Sequence, residues 1–129
     1  MRIENGEFTG TQDSMLTINN IDTSDAGIYT CVVSNICGYV TTYPATLTVN
    51  QPITITQQPI GGTYCGDGSI FTFSVGVTGT QPIYYQWNND GENWLDSYDS
   101  LYTIGGIYSW YSGNWNCVAT NVCGTVYSL

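Results

Sequence analysis

Residues 15–43 read MLTINNIDTSDAGIYTCVVSNICGYVTTY, and a shift of 86 positions lays them without a gap on residues 101–129, LYTIGGIYSWYSGNWNCVATNVCGTVYSL. Thr17, Ile18, Ile21, Gly27, Cys31, Val32, Asn35, Cys37, Gly38 and Val40 recur as Thr103, Ile104, Ile107, Gly113, Cys117, Val118, Asn121, Cys123, Gly124 and Val126. Ten identities in 29 positions make a tandem repeat. Its period is the size of a small β-sandwich and too long for a solenoid unit. Upstream, NGE at 5–7 corresponds to DGE at 90–92 with a one-residue slip. Residues 1–50 are therefore expected to be the C-terminal half of one domain. Residues 51–129 are expected to be a second domain lacking most of the strand that the first copy continues as YPATLTVN, 43–50. On this reading the chain is a segment of something longer and Met1 is not the natural start.

Working outward, the second copy is dense in strand signals. ITITQ (53–57) alternates, and so does FTFSVGV (71–77), which places Phe71, Phe73, Val75 and Val77 on one face. IYYQW (83–87) leads into the turn NNDGE (88–92), and LYTI (101–104), NWNCVAT (114–120) and GTVYSL (124–129) follow. Short strands between turn residues, with no helical periodicity, predict an all-β sandwich.

Charge narrows the function. The chain carries a net charge of -9, one Arg (Arg2), no Lys and no His. It has no cationic surface with which to neutralise phosphates or dock on anionic lipid, so nucleic-acid binding and membrane insertion are not expected. The usual general bases, oxyanion clamps and nitrogen metal ligands are missing, so neither enzyme activity nor a cofactor is expected. No apolar run approaches the ~18 residues of a membrane span. Five cysteines in an acidic, Tyr- and Thr-rich chain of repeated strands read as extracellular.

LTINNIDTSDAGIYTCVVSN (16–35) resembles the end of an immunoglobulin-like domain, in which an apolar strand E leads through D-x-G-x-Y-x-C into strand F. Tyr29 then matches the tyrosine corner, whose hydroxyl bonds back to nearby backbone. YYQWNNDGE (84–92) resembles strand C with its core Trp at Trp87. The resemblance implies an immunoglobulin-like β-sandwich, one near-complete domain plus a half domain carrying strands C′ to G. More narrowly, CGDGSIFTFSVGVTGTQPIYYQW (65–87) followed by NVCG resembles the tandem immunoglobulin-like repeats of large bacterial surface and secreted proteins. That implies a spacer, adhesive or filament-forming role. Two departures stand out. Val75 holds the place of the strand B cysteine, which leaves Cys117 without a cross-sheet partner, and Asp25 and Tyr29 become Tyr111 and Trp115.

In such a sandwich Cys65, before strand B, and Cys123, in the F–G turn, lie at opposite ends. A strand of about seven residues spans over ~20 Å, whereas a disulfide needs Cα atoms within ~7 Å. Cys37, Cys65 and Cys123 are therefore candidates for bonds between domains or subunits. Cys31 and Cys117 are expected to be buried thiols packed with Trp87, Tyr29 and the strand B residues, with a Cys31–Cys37 bond in an irregular hairpin as the alternative. NNDGENWLD (88–96) reads as a hairpin turn in preference to a calcium loop, and Asp22 and Asp25 read as capping or corner residues in preference to calcium ligands. The aromatic residues Trp94, Tyr108, Trp110 and Tyr111 are candidates for an interface or for stacking on sugar rings. The function that follows is a non-catalytic extracellular structural module of a tandem-repeat protein or filament. It would associate with itself or with neighbouring immunoglobulin-like domains, with strand complementation as a sharper form. The alternative is an adhesin for a glycan or surface protein.

Overall fold

The computed structural model describes residues 7–94 and 98–129, together with the backbone but not the side chain of Trp94. It divides into two compact units, Met1–Val49 and Asn50–Leu129.

Unit 1 contains strands β1 (Phe8–Thr9), β2 (Thr17–Ile18), β3 (Gly27–Tyr29), β4 (Val32–Asn35), β5 (Gly38–Thr41) and β6 (Ala45–Leu47). β1 pairs antiparallel with β2, aligning Phe8 with Ile18. Between β2 and β3 the chain makes a 3-10 turn at Thr23–Asp25, and a reciprocal cap sets its start. The Asp22 carboxylate accepts from Ser24 N at 2.7 Å, and the Asp25 carboxylate accepts from Asp22 N at 3.0 Å. β4 and β5 form a hairpin across Ile36–Cys37, with Asn35 opposite Gly38, and β3 pairs with β6. The side chain of Asn35 accepts from Cys37 N at 2.8 Å and so closes the hairpin tip.

Unit 2 contains β7 (Thr54–Gln57), β8 (Ile70–Ser74), β9 (Gly76–Thr78), β10 (Tyr84–Asn89), β11 (Glu92–Trp94), β12 (Leu101–Gly105), β13 (Trp115–Asn121) and β14 (Gly124–Tyr127). One sheet has the order β11-β10-β13-β14, all antiparallel. The opposing strands pair as β12 with β8 and β7 with β9. The alternating run 71–77 is split between β8 and β9 at Val75, whose N–H donates to Ser100 O at 3.0 Å and carries the β8–β12 pairing one step further.

The two layers meet on Phe73, Val75, Trp87, Ile104 and Cys117. Trp87 is fully buried, and its indole N–H donates to Asp99 O at 3.0 Å, so the large apolar ring is enclosed without leaving its one polar atom unpaired. Cys117 lies opposite Trp87 in the β10–β13 register and is 1% exposed. The period-2 pattern of β13 places Cys117, Ala119 and Asn121 on the inner face. Phe71 and Val77 are half-buried at the margin of this cluster.

The β10–β11 connection is the hairpin turn that NNDGE predicts. Asn89 pairs with Glu92, and Asp90 (φ 47°) and Gly91 (φ 87°) supply the two left-handed residues of a two-residue loop. Asp96 lies outside the described residues.

Candidate functional site

The repeat predicts that Tyr29 and Trp115 occupy equivalent corners, and the structure shows how each is built. In unit 1 the Tyr29 hydroxyl donates to Asp25 O at 2.6 Å, four residues back, and Asp25 is buried. In unit 2 the Trp115 indole N–H donates to Tyr111 O at 3.0 Å, also four residues back. The departure of Tyr29 to Trp115 thus keeps the bond, because indole and phenol each place a donor at the far rim of a flat ring. The Trp115 ring also stacks on Phe73 (centroids 5.1 Å apart) and on Tyr102 (5.3 Å). Tyr29 is only half-buried.

This corner forms one wall of a groove of about 710 Å³ in unit 2. It is lined by the aromatic rings of Phe71, Tyr111 and Trp115, by residues 61–66 as a rim, and by Leu129. The rim is turned by Asp67, whose carboxylate accepts from Ser69 N at 3.0 Å and from the Ser69 hydroxyl. Those bonds hold the Asp67 carboxyl below its ordinary range. Tyr64 on the rim packs on Phe71 at 5.3 Å.

Of the aromatic candidates, Tyr108, Trp110 and Tyr111 come together on a 3-10 turn at Ser109–Tyr111. Trp110 is 66% exposed and stacks on Tyr108, with centroids 4.6 Å apart and planes at 19°. Tyr108 and Tyr111 line the groove, whereas Trp110 does not. The Trp94 side chain lies outside the described residues.

All five cysteines, each among the described residues, are free thiols. Cys37, Cys65 and Cys123 are exposed, and Cys65 is a groove residue. Cys117 is enclosed by the core, and burial pushes its thiol up to about 11. Cys31 corrects its expectation, because it is exposed and not a buried thiol. Identity with Cys117 is not enough to bury it: Cys117 is covered by Trp87 from β10 and Val75 between β8 and β9, and among the described residues no such strands belong to unit 1.

Two further residues escape a motif reading. The side-chain N–H groups of Asn121 donate to Gln51 O and Thr80 O, both at 3.0 Å, while its oxygen accepts from Cys123 N at 2.9 Å. This one amide ties the F–G turn to the start of unit 2. Its recurrence as Asn35 was the available signal. Gly113 (φ 147°) approaches β10 so closely that a Cβ would run into Asn89 Oδ1 and Asp90 Oδ2.

Among the described residues there is no group of three or more His, Cys, Asp or Glu placed to hold a metal, and no helix long and apolar enough to cross a membrane. Asp22 and Asp25 are engaged in the cap. Bonds from Ser24 hold the Asp22 carboxyl low.

Comparison with known proteins places this geometry. Human Roundabout homolog 3 is 29% identical over 129 residues, covering 96% of this chain and 9% of that protein. Mouse hemicentin-1 is 33% identical over 117 residues, covering 85% of this chain and 2% of that protein. The chain thus spans less than a tenth of either relative. A titin I-band fragment, I67–I69, superposes with a TM-score of 0.71 at 23% identity, over 88% of this chain and 43% of that one. These curated relatives are animal proteins, not the bacterial surface proteins that the narrower resemblance implied. Residues 2–49 match the immunoglobulin I-set domain, and the fold of the chain is all-β and immunoglobulin-like.

Proposed function

We propose that the chain is a non-catalytic structural module of an extracellular tandem-repeat protein, with residues 1–50 acting as the C-terminal half of one immunoglobulin-like domain and residues 51–129 as the next. The observation that carries this reading is the bond-for-bond recurrence of the F–G hairpin. Cys31 N donates to the Thr42 hydroxyl at 3.0 Å and Thr42 N to Cys31 O at 2.9 Å. In unit 2, Cys117 N donates to the Ser128 hydroxyl at 2.8 Å and Ser128 N to Cys117 O at 2.8 Å. Repetition of such a structural device suits an array in which each domain meets its neighbours. The similarity to segments of the long proteins Roundabout homolog 3 and hemicentin-1 supports the same view.

In this role the module sets reach and stiffness, and exposed Cys37, Cys65 and Cys123 are placed to staple neighbours. Antibody labelling of intact, unpermeabilised cells tests the location; signal only after permeabilisation rejects it. Electrophoresis of thiol-blocked native material tests the stapling. A ladder that collapses with reductant supports it, and fully alkylated thiols on a single band reject it.

A second reading is favoured by the exposed Tyr108–Trp110 stack, a flat aromatic platform suited to a sugar face. Binding on a glycan array that disappears with Trp110→Ala identifies an adhesin. No binding by the unaltered chain leaves the spacer.

A further inference from the structure

At the β10–β11 turn, oxygen atoms converge with no basic side chain to answer them. Asn89 is 7% exposed, and its side-chain oxygen is buried without a hydrogen-bond partner. Its amide nitrogen is directed at Tyr111 O, 3.5 Å away, which sends the oxygen to the other side. Turned over, the amide would set oxygen against that carbonyl. Asp90 accepts through Oδ1 from Asn114 N at 3.0 Å and from Asn114 Nδ2 at 3.3 Å. Its Oδ2 and the Asn89 oxygen flank one point, the place beside Gly113 where a Cβ would stand. Glu92 is the direct partner of Asn89 in the β10–β11 register. Such a pair shares one face of the sheet with Cβ atoms ~5 Å apart, so the exposed Glu92 carboxylate is within reach of the same point. Among the described residues there is no Lys, Arg or His. These positions lie where β13 meets β10, on the side of β13 away from β14.

We propose that this is a calcium site, with Asn89 Oδ1, Asp90 Oδ2 and the Glu92 carboxylate as protein ligands and water completing the shell. The proposal goes beyond the module reading and does not depend on it. A buried amide oxygen left unpaired is costly, and a cation is the partner that also offsets two neighbouring carboxylates. The donors are all hard oxygens, which suit calcium or magnesium and not a transition metal. Calcium accepts amide and carboxylate oxygens at irregular angles, whereas magnesium demands a near-ideal octahedron and gives up water reluctantly. Adjacent residues of a tight turn supply two of the ligands here, so their directions are set by the turn and not by the ion. The site is no calcium loop of the helix–loop–helix kind, in which a long loop wraps the ion; here a hairpin presents side chains toward the segment packed beside it. With two carboxylates and one neutral amide, affinity belongs with the weak extracellular sites, about 10⁻⁴–10⁻³ M. Gly113 is then a ligand-site residue as well as a packing residue, since a Cβ there would fill the space between the two oxygens. A bound ion adds to the Asp90–Asn114 bonds in fastening the turn to the start of β13.

The test is an amide NMR titration of the full chain, under reductant, with calcium chloride, with magnesium chloride, and with potassium chloride at matched ionic strength. The expected result is a saturable response to millimolar calcium confined to Asn89, Asp90, Gly113 and Asn114 and their neighbours, several-fold weaker with magnesium and absent with potassium. Asp90→Asn keeps an oxygen for Asn114 and suits the left-handed turn position, so this variant folds. It should weaken the calcium response at least tenfold, and Glu92→Gln should weaken it several-fold. Asn89→Asp puts a third carboxylate at the site; its melting temperature should fall in chelator and recover with calcium by more than that of the unaltered chain. Three results overturn the proposal. One is no saturable response in millimolar calcium, which leaves the Asn89 oxygen to water. Another is a response spread equally over Asp13, Asp22 and Asp67, which is diffuse attraction to an acidic chain. The third is a calcium affinity unchanged in both Asp90→Asn and Glu92→Gln.

Discussion

The two copies of strand F share their sequence pattern and differ in what faces them. In unit 2, Cys117 and Ala119 are each 1% exposed, and Cys117 packs in the cluster of Trp87, Phe73 and Val75. In unit 1 the equivalent Cys31 and Val33 are exposed, Val33 at 56%. Both copies keep the hairpin tip, the paired bonds to Thr42 or Ser128, and the corner bond to the residue four positions back. Local hydrogen bonding is thus a property of the repeat, and burial is a property of the partner strands. Among the described residues a second sheet covers this strand in unit 2 and none covers it in unit 1, and the burial of the equivalent residues follows that difference.

The largest break in this symmetry should come from Trp87→Ala. Removing a fully buried Trp costs roughly 3–5 kcal/mol, whereas Val33→Ala on the exposed face should change stability by about 0.5 kcal/mol or less. All four Trp residues lie in unit 2, so denaturant titration followed by Trp fluorescence reads that unit, and amide exchange reads both. Gly113→Ala comes next. Its positive φ and its contacts with Asn89 and Asp90 predict a loss of about 1–3 kcal/mol. Gly27, its counterpart, has open space around it and no positive φ, so Gly27→Ala should be neutral or stabilising by up to about 1 kcal/mol. Equal effects at the two glycines would sink the claim that unit 2 alone draws this residue against β10.

The corners should differ less. Tyr29→Phe removes only a hydroxyl and its bond, about 1 kcal/mol. Trp115→Phe loses the equivalent bond and part of the stack on Phe73 and Tyr102, so its cost should be the larger by fluorescence-monitored melting. The smallest effect is expected from pH. Burial raises the Cys117 thiol from 9.0 to about 11 in the folded chain. The unfolded chain therefore loses this proton first, and stability falls as pH rises from about 9 to about 11. Cys117→Ala should flatten that slope in melts across the window.

The D–G hairpin turn was legible from two residues that accept left-handed conformations, whereas the corner at Tyr29 and the core Trp87 were legible through the resemblance of D-x-G-x-Y-x-C and YYQW to immunoglobulin-like strands. The Trp115 corner was legible in part. The loss of Tyr and Asp at that position suggested a different construction, but Trp carries a ring donor as Tyr does, and only the backbone carbonyl of Tyr111 is needed to accept it. Asn121 was visible as a repeated residue but not as a clamp, since its acceptors at Gln51 and Thr80 are 70 and 41 positions away. Cys31 was expected to be a buried thiol that packs as a small apolar residue, and it is exposed because, among the described residues, no strands of unit 1 cover it as Trp87 and Val75 cover Cys117.

Periodicity and turn chemistry settle the all-β class, because alternation and two-residue turns depend on residues near one another in the chain, and the 86-residue repeat shows which positions of the two copies correspond. The exposure of Cys31, the enclosure of Cys117 and the groove beside Trp115 depend on which distant strands come to lie against a given face. That is a matter of packing between residues tens of positions apart, and no local pattern encodes it.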